Sequence, residues 1–377
     1  MKVLISGYYG FGNVGDESVL QALVSGLKEI DPDIGITVLS AAPKITKELN
    51  KVEAVNRYNW FRLLVKMLKT NVFISGGGTL FQNITSTKSF VYYVGLVLLA
   101  KLMFKKVAVI GQGFGPLQGR FNRFLAKFAL NRANLITLRD SASYEELKRL
   151  GVRNRNIFVT ADPTAMLKLP LLQEGRKILS LEAVRLGKPL LGVAVRNVPR
   201  QDEERLYQTL SATLDWLAKE RNLSPVFILF QCPEDMGETS KVINYMEQKS
   251  NVIFRICRPD EMLSLIANFD LLIGMRLHSL IFAAMNQVPM LGLSYDPKVD
   301  AFMKEIGQPY FPATGDLAPE SLRSALERIL SNRDAVRQQL SESKKRLHQQ
   351  AEQNFSLFFE HFARNKEKAE TAVNVSD

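Results

Sequence analysis

At 377 residues the chain exceeds one ordinary compact core and fits two domains of comparable size. A hydrophobic share of 46% beside 23% charged residues excludes a disordered chain. The net charge of +11 favours acidic partners, namely phosphorylated metabolites, nucleic acid or an anionic membrane surface.

The chain opens with a short apolar strand, KVLI at 2–5, followed by the loop SGYYGFGNVGDE and an amphipathic helix over Ser18–Ile30. A second strand follows at Gly35–Leu39. Strand, glycine loop, helix, strand is the opening unit of a doubly wound parallel sheet. The same grammar recurs at NVFIS before Gly76–Thr79, at VAVI before Gly111, Gly113 and Gly115, at LITL before Arg139 and Asp140, and at IFVT before Asp162. Ligands of open α/β sheets bind outside the carboxyl ends of the strands, so these ends outline the floor of a cleft.

The apolar run Phe90–Phe104 contains Lys101 and is shorter than the roughly 20 residues that cross a bilayer. It reads as a half-buried helix in preference to a membrane-dipping one, although Lys101, Lys105 and Lys106 would suit anionic headgroups. The N-terminus breaks into glycines and acids before any signal-peptide core, so the expected location is the cytoplasm, with contact at the inner membrane face as a further expectation. Cys232 and Cys257 have neither CxxC spacing nor clustered histidines and read as buried free thiols, not as zinc ligands.

Between Leu169 and Lys188 the pattern loosens, which places the domain boundary there. The first Rossmann-like domain then covers 1–170. A second, over 188–332, follows from LLGVAV, VFILF, VIFRI and DLLIG with helices between them. A long polar helix over 333–366 carries Phe355, Phe358, Phe359 and Phe362 on one face, and 367–377 reads as a disordered tail. The fold class is α/β, two Rossmann-like domains facing a central cleft.

Gly10, Gly12 and Gly15 spell GxGxxG in the right context, but the second strand ends without the acid that holds a ribose, so NAD chemistry lacks a requirement. What survives is a helix N-terminus and close backbone approach, with Gly12, Asn13, Gly77, Gly78 and Gln112 as sugar contacts. Asp16 stands evenly between substrate contact and plain helix cap. Arg139, Arg276 and Lys298 offer fixed positive charge, and the fork of an arginine suits carboxylate or phosphate. His278 is the sharpest clue, because the other two histidines, His348 and His361, lie in the C-terminal helix. No face interleaves basic and aromatic residues, so nucleic acid is not an expected partner.

Taken together, GYYGFGNVGDE, GGGTLFQ, VIGQGFGP, the LRD at 138–140, the ADP at 161–163 and GMRLHSLIFAAMNQVPMLGLSYDPKV resemble the polysaccharide pyruvyl transferase family, and its CsaB-type members most. The resemblance implies a fold like that of GT-B glycosyltransferases and transfer of pyruvate from phosphoenolpyruvate onto a sugar as a cyclic ketal, with release of phosphate. It implies donor binding by Arg139, Arg276, Leu277, His278 and Lys298, with catalytic parts for His278, Arg276 and Arg139. It also implies a glycan acceptor that is a lipid-linked cell-wall or surface-polysaccharide precursor. Phosphoenolpyruvate is then a co-substrate, with no metal and no other cofactor. Asp16, Asp140, Asp162 and Asp296 are the candidate bases. The alternative is a GT-B glycosyltransferase with a nucleotide-sugar donor.

Overall fold

Short apolar strands joined by helices must pair in parallel, because each helix carries the chain back to the starting edge of the sheet. The computed structural model describes residues 1–83, 86–198, 200–315 and 317–363, and it holds two such sheets. Contacts divide the chain into two units. The first comprises Met1–Phe11, Asp16–Leu167 and the chain from Leu347; the second comprises Gly12–Gly15 and Lys168–Arg346.

In the first unit the strands β1 (Lys2–Ser6), β2 (Gly35–Ser40), β3 (Glu53–Asn56), β4 (Val72–Gly76), β5 (Lys106–Gln112), β6 (Leu135–Leu138) and β7 (Ile157–Val159) lie in the order β3-β2-β1-β4-β5-β6-β7. Every neighbouring pair is parallel. The order reverses beside β1, so the loop after β1 sits at the switch point where such sheets bind ligands. Helices α1 (Val14–Ile30), α2 (Pro43–Asn50), α3 (Trp60–Leu68), α4 (Thr87–Leu102), α5 (Arg120–Leu130) and α6 (Ser141–Leu150) make the connections. Strand side chains alternate between two cores, as the period of two requires. Leu4, Phe73 and Val107 pack with Leu63, Val94 and Ala126 of α3, α4 and α5, while Val3, Ile5 and Ile74 pack with Val19 and Leu23 of α1.

The sequence pattern leaves α2, β3 and α3 unread. In β3 only Val55 is buried, so the strand carries almost no apolar signal. The apolar run at 90–104 forms α4, which buries Phe90, Tyr93, Val94, Leu96, Val97 and Ala100. Among the described residues no helix is long and apolar enough to cross a membrane.

In the second unit α7 (Leu172–Leu181), β8 (Leu190–Ala194), α8 (Arg200–Glu220), β9 (Ser224–Ile228), α9 (Glu234–Tyr245), β10 (Asn251–Ile253) and α10 (Pro259–Ile266) come first. Then follow β11 (Leu271–Gly274), α11 (Leu277–Met285), β12 (Met290–Ser294), α12 (Pro297–Glu305), β13 (Tyr310–Pro312) and α13 (Pro319–Ser331). Its parallel sheet has the order β10-β9-β8-β11-β12-β13, again reversing beside its first strand. The loosened stretch between the two strand sets is not structureless. Helix α7 lies so close to α10 that a Cβ on Gly175 would stand 2.3 Å from the Ser264 carbonyl oxygen, and the Gly175 N–H donates to Ser264 Oγ at 2.7 Å. Cys257 is buried and Cys232 half-buried, both as free thiols.

Helix α14 (Arg333–Phe362) belongs to the second unit as far as Arg346 and to the first from Leu347. The predicted end at Lys366 and the tail over 367–377 lie outside the described residues. Phe355, Phe358 and Phe362 are buried in the α1 core, and Phe359 packs at its rim. Gly26 of α1 admits the Phe355 ring, which a Cβ there would meet at 2.4 Å. Beside this stripe, buried Asn354 accepts from the hydroxyls of Thr137 and Thr160 and donates to the Ala161 carbonyl at 3.0 Å. Asn354→Leu removes the acceptor of the Thr137 hydroxyl and a donor to the Ala161 carbonyl, while Thr160 keeps the Leu138 carbonyl, and should cost about 1–3 kcal/mol of unfolding free energy. Urea denaturation measures it, and an unchanged midpoint would contradict the assignment.

Candidate functional site

The loop after β1 is held from both sides. Tyr9 is buried and its hydroxyl donates to the Gly76 carbonyl at 2.6 Å. Gly10, at φ +81, lies against Ser40 Oγ and the Ala42 backbone N, leaving no room for a Cβ. From α1, Glu17 reaches back to accept the Gly10 N–H at 2.7 Å. Burial pushes the Glu17 carboxyl up to about 7, with neighbouring Asp16 adding to the rise and the Gly10 and Phe11 N–H groups opposing it.

Helix α1 begins at Val14, four residues before the predicted start, so Asp16 is not its cap. The cap is Asn13, whose Oδ1 accepts from the Gly15 N–H at 3.0 Å; Asp16 lies inside the first turn. A Cβ on Gly78 would stand 3.1 Å from Asp16 Oδ1. Gly12 is exposed, at φ +73, with open space where a side chain would be.

The glycines at the ends of β4 and β5 make room for the protein's own side chains. Gly77 is buried under Val19, 1.9 Å from where its Cβ would be, and both Gly77 and Gly78 have positive φ. Gln112 is fully buried, its amide bonded to Ser75 Oγ and the Gly77 carbonyl. The expected sugar contact from Gln112 is therefore corrected: no part of it reaches solvent. Arg139 is corrected in the same way. It is only 6% exposed, paired with Asp140 at 3.5 Å and Asp162 at 3.3 Å, and it donates to Thr79 Oγ1 at 3.0 Å. Gly113 leaves space for its guanidinium, 2.6 Å from the missing Cβ. Two carboxylates around one cation leave no charge for an anion to use.

The second unit gathers the remaining predicted residues. Arg276, at the N-cap of α11, is 8% exposed and grips Asp235 with two nitrogens, Nε to Oδ2 at 3.2 Å and Nη2 to Oδ1. Asp235 is fixed in turn by the Phe230 and Gln231 N–H groups at 2.9 and 3.0 Å. The Gln231 side-chain oxygen accepts from Arg276 at 3.4 Å and from Asn13 Nδ2 at 3.0 Å. The Val14 N–H donates to the Phe230 carbonyl at 2.8 Å, so Asn13 and the RLH turn share one polar chain. The His278 ring lies on Gly15, where a Cβ would stand 2.1 Å from Nδ1. Buried Leu277 packs behind the turn.

At the end of β12, Lys298 pairs with Asp296 at 2.9 Å, and Asp296 caps α12 through the Lys298 N–H. Just before them Tyr295 receives a hydrogen bond from Arg196, whose guanidinium lies 4.5 Å from the ring centre. Burial pushes the Tyr295 phenol up, yet Lys298, Arg196 and Arg276 outweigh it and hold the group below the ordinary tyrosine value. Arg196 has no carboxylate partner among the described residues; its neighbours are Tyr295 and Asn197. Sequence reading missed Arg196, Gln231, Asp235 and Tyr295. Asp235 had a signal, an acid in the first turn of a helix after a strand. Of the candidate bases, Asp140, Asp162 and Asp296 each cap a helix and pair with a cation.

Glu17 makes a test of the loop. A folded-state value near 7, above that of the unfolded chain, means its contribution to stability is complete below the ordinary glutamate range and is lost as pH rises through about 7. Glu17→Gln keeps an acceptor for the Gly10 N–H and removes the titration. Its loss of melting temperature between about pH 5 and about pH 8 should be smaller than that of the unaltered protein, and identical profiles would contradict the burial argument.

The chain matches the family model described as polysaccharide pyruvyl transferase over residues 13–297, ending one residue before Lys298. It is 23% identical over 401 aligned positions to the amylovoran biosynthesis protein AmsJ of Erwinia amylovora, covering 90% of this chain and 95% of that protein. Among solved structures it is similar to the UDP-GlcNAc 2-epimerase of Neisseria meningitidis bound to UDP-GlcNAc, with TM-score 0.62, 10% identity and coverage of 96% and 100%. It is also similar to Anabaena Alr3699/HepE in complex with UDP-glucose, with TM-score 0.61, 14% identity and coverage of 99% and 100%. At those identities the likeness shows the fold alone, a pair of Rossmann-like α/β domains of GT-B type. The family match runs from the Asn13 cap through the Arg276–His278 turn and takes in most of the sequence: the chain belongs to the polysaccharide pyruvyl transferase family.

Proposed function

We propose that the protein moves the pyruvyl group of phosphoenolpyruvate onto a sugar of a lipid-linked surface-polysaccharide precursor, forming a cyclic ketal and releasing phosphate. Membership of the family makes it a transferase in polysaccharide pyruvylation, and the AmsJ relative is an amylovoran biosynthesis protein. The observation that carries the donor assignment is the pair of cations Arg196 and Lys298 gathered at 4.5 and 5.5 Å from the centre of the Tyr295 ring, with Arg196 donating to its hydroxyl; the downward direction of the phenol, against burial and Asp296, agrees with it. A phenolate-favouring environment is one that also favours carboxylate and phosphate. Phosphoenolpyruvate carries both.

In this reading Arg196 and Lys298 receive the donor, while Arg276, taken up by Asp235, holds the turn that carries His278. The buried Asp235 holds the Arg276 fork in one orientation and so pre-organises it. Leu277 supplies an apolar wall, and Gly12 and Asn13 contact the sugar. His278 delivers a proton to the methylene carbon as the first hydroxyl adds to C2, and the proton that this hydroxyl gives up returns to the imidazole. The bond between C2 and the phosphate oxygen then breaks, with the departing charge stabilised by the cations. The second hydroxyl closes the ketal, and its proton leaves with phosphate. Arg139 is a positioning residue for the ends of β5 and β6.

Purified protein incubated with phosphoenolpyruvate should release phosphate only when a glycan acceptor is present, with a pyruvyl adduct on the glycan by mass analysis. His278→Gln should lower turnover by about 10²–10⁴ with the melting temperature unchanged. Arg196→Gln should lower kcat/KM for phosphoenolpyruvate by about ten-fold or more. Release of a nucleoside diphosphate from a nucleotide sugar, with phosphoenolpyruvate inert, would replace this reading by the glycosyltransferase one.

A further inference from the structure

Between Glu53 and Asp140 the chain contains no acidic residue and 13 lysines and arginines. This stretch includes α3, α4 and α5, which share one core on a single face of the first sheet. Trp60 of α3 meets Tyr92 of α4 edge to face at 6.0 Å, and Lys105 beyond α4 donates to the Leu68 carbonyl at the end of α3. The three helices therefore form one layer.

The outer surface of that layer is apolar to a degree its inner packing does not require. Along α3, Trp60, Phe61, Leu64 and Leu68 are exposed, Phe61 at 77%. Beyond α4, Phe104 is 96% exposed. Along α5, Phe121, Phe124 and Phe128 recur at i, i+3 and i+7 on the outside, interleaved with Arg120, Arg123 and Lys127. This corrects the expectation that no face alternates basic and aromatic residues. A soluble surface rarely gathers so many large apolar side chains without a partner.

We propose that the outer face of the α3, α4 and α5 layer docks on an anionic lipid bilayer. Aromatic rings and leucines enter the boundary between headgroups and acyl chains, and the flanking cations meet the lipid phosphates. Charge chooses this occupant. A second copy of the same face would set cations against cations across a two-fold axis. Nucleic acid would use the rings as stacking platforms but has no use for exposed Leu64, Leu68 and Leu102. The proposal does not depend on the reaction assigned above.

The test is sedimentation of the full chain with vesicles of phosphatidylglycerol and phosphatidylcholine, against phosphatidylcholine alone. The mixed vesicles should bind about ten-fold more tightly or better, and less so as salt rises. Phe104→Ser with Phe121→Ser and Phe124→Ser, and separately Arg120→Gln with Arg123→Gln and Lys127→Gln, should each weaken binding by about ten-fold or more. Five of the six side chains are exposed and Lys127 is half-buried, so circular dichroism and melting temperature should hardly move. Absence of vesicle binding, or binding that both triple variants retain, overturns the proposal. So does loss, in those variants, of a homodimer or of oligonucleotide binding in protein that does not sediment with vesicles.

Discussion

The two-pronged grip of Arg276 on Asp235 is the constraint on which the rest of the candidate site depends. Both groups are nearly sealed from water, so neither can be charged without the other; removing one partner of such a pair costs about 3–5 kcal/mol. Asp235 is itself bound to the backbone after β9, and Gln231 carries the connection on to Asn13 at the head of α1. A turn at the end of β11, a loop after β9 and the cap of the first helix are thus held in one register. His278, two residues beyond Arg276, is placed on Gly15 as a consequence.

This arrangement changes where the usable positive charge lies. Arg139 is outmatched by two aspartates and Arg276 and Lys298 are each matched by one, so their charge serves orientation first. Arg196 faces a phenol instead, with no carboxylate beside it among the described residues. An anion arriving there meets donors that are already oriented, so it need not pay for ordering flexible side chains.

Much of the fold was legible because parallel strands are nearly continuous apolar runs that stop abruptly at glycine or charge. Strand β3 and strand β13 escaped because one buries a single residue and the other none. In the site, Arg276, His278 and Asn13 could be singled out by type and position. Their counterparts could not: Asp235 and Gln231 lie some forty positions away, and pairing at that distance is fixed by topology, not local pattern. The glycines were half legible. Gly15, Gly77 and Gly113 do mark close approach, but what approaches is His278, Val19 and Arg139, and a missing side chain does not name its neighbour.

If the cationic cluster of the second unit takes phosphoenolpyruvate for pyruvyl transfer, the bond that breaks joins C2 to the bridging oxygen. Phosphoenolpyruvate labelled with oxygen-18 at that bridge, turned over in the presence of the glycan acceptor, should deliver the label to inorganic phosphate while the pyruvyl group appears on the glycan. Label retained in free pyruvate, with an unmodified glycan, would mean that the phosphorus–oxygen bond breaks instead and would contradict the account.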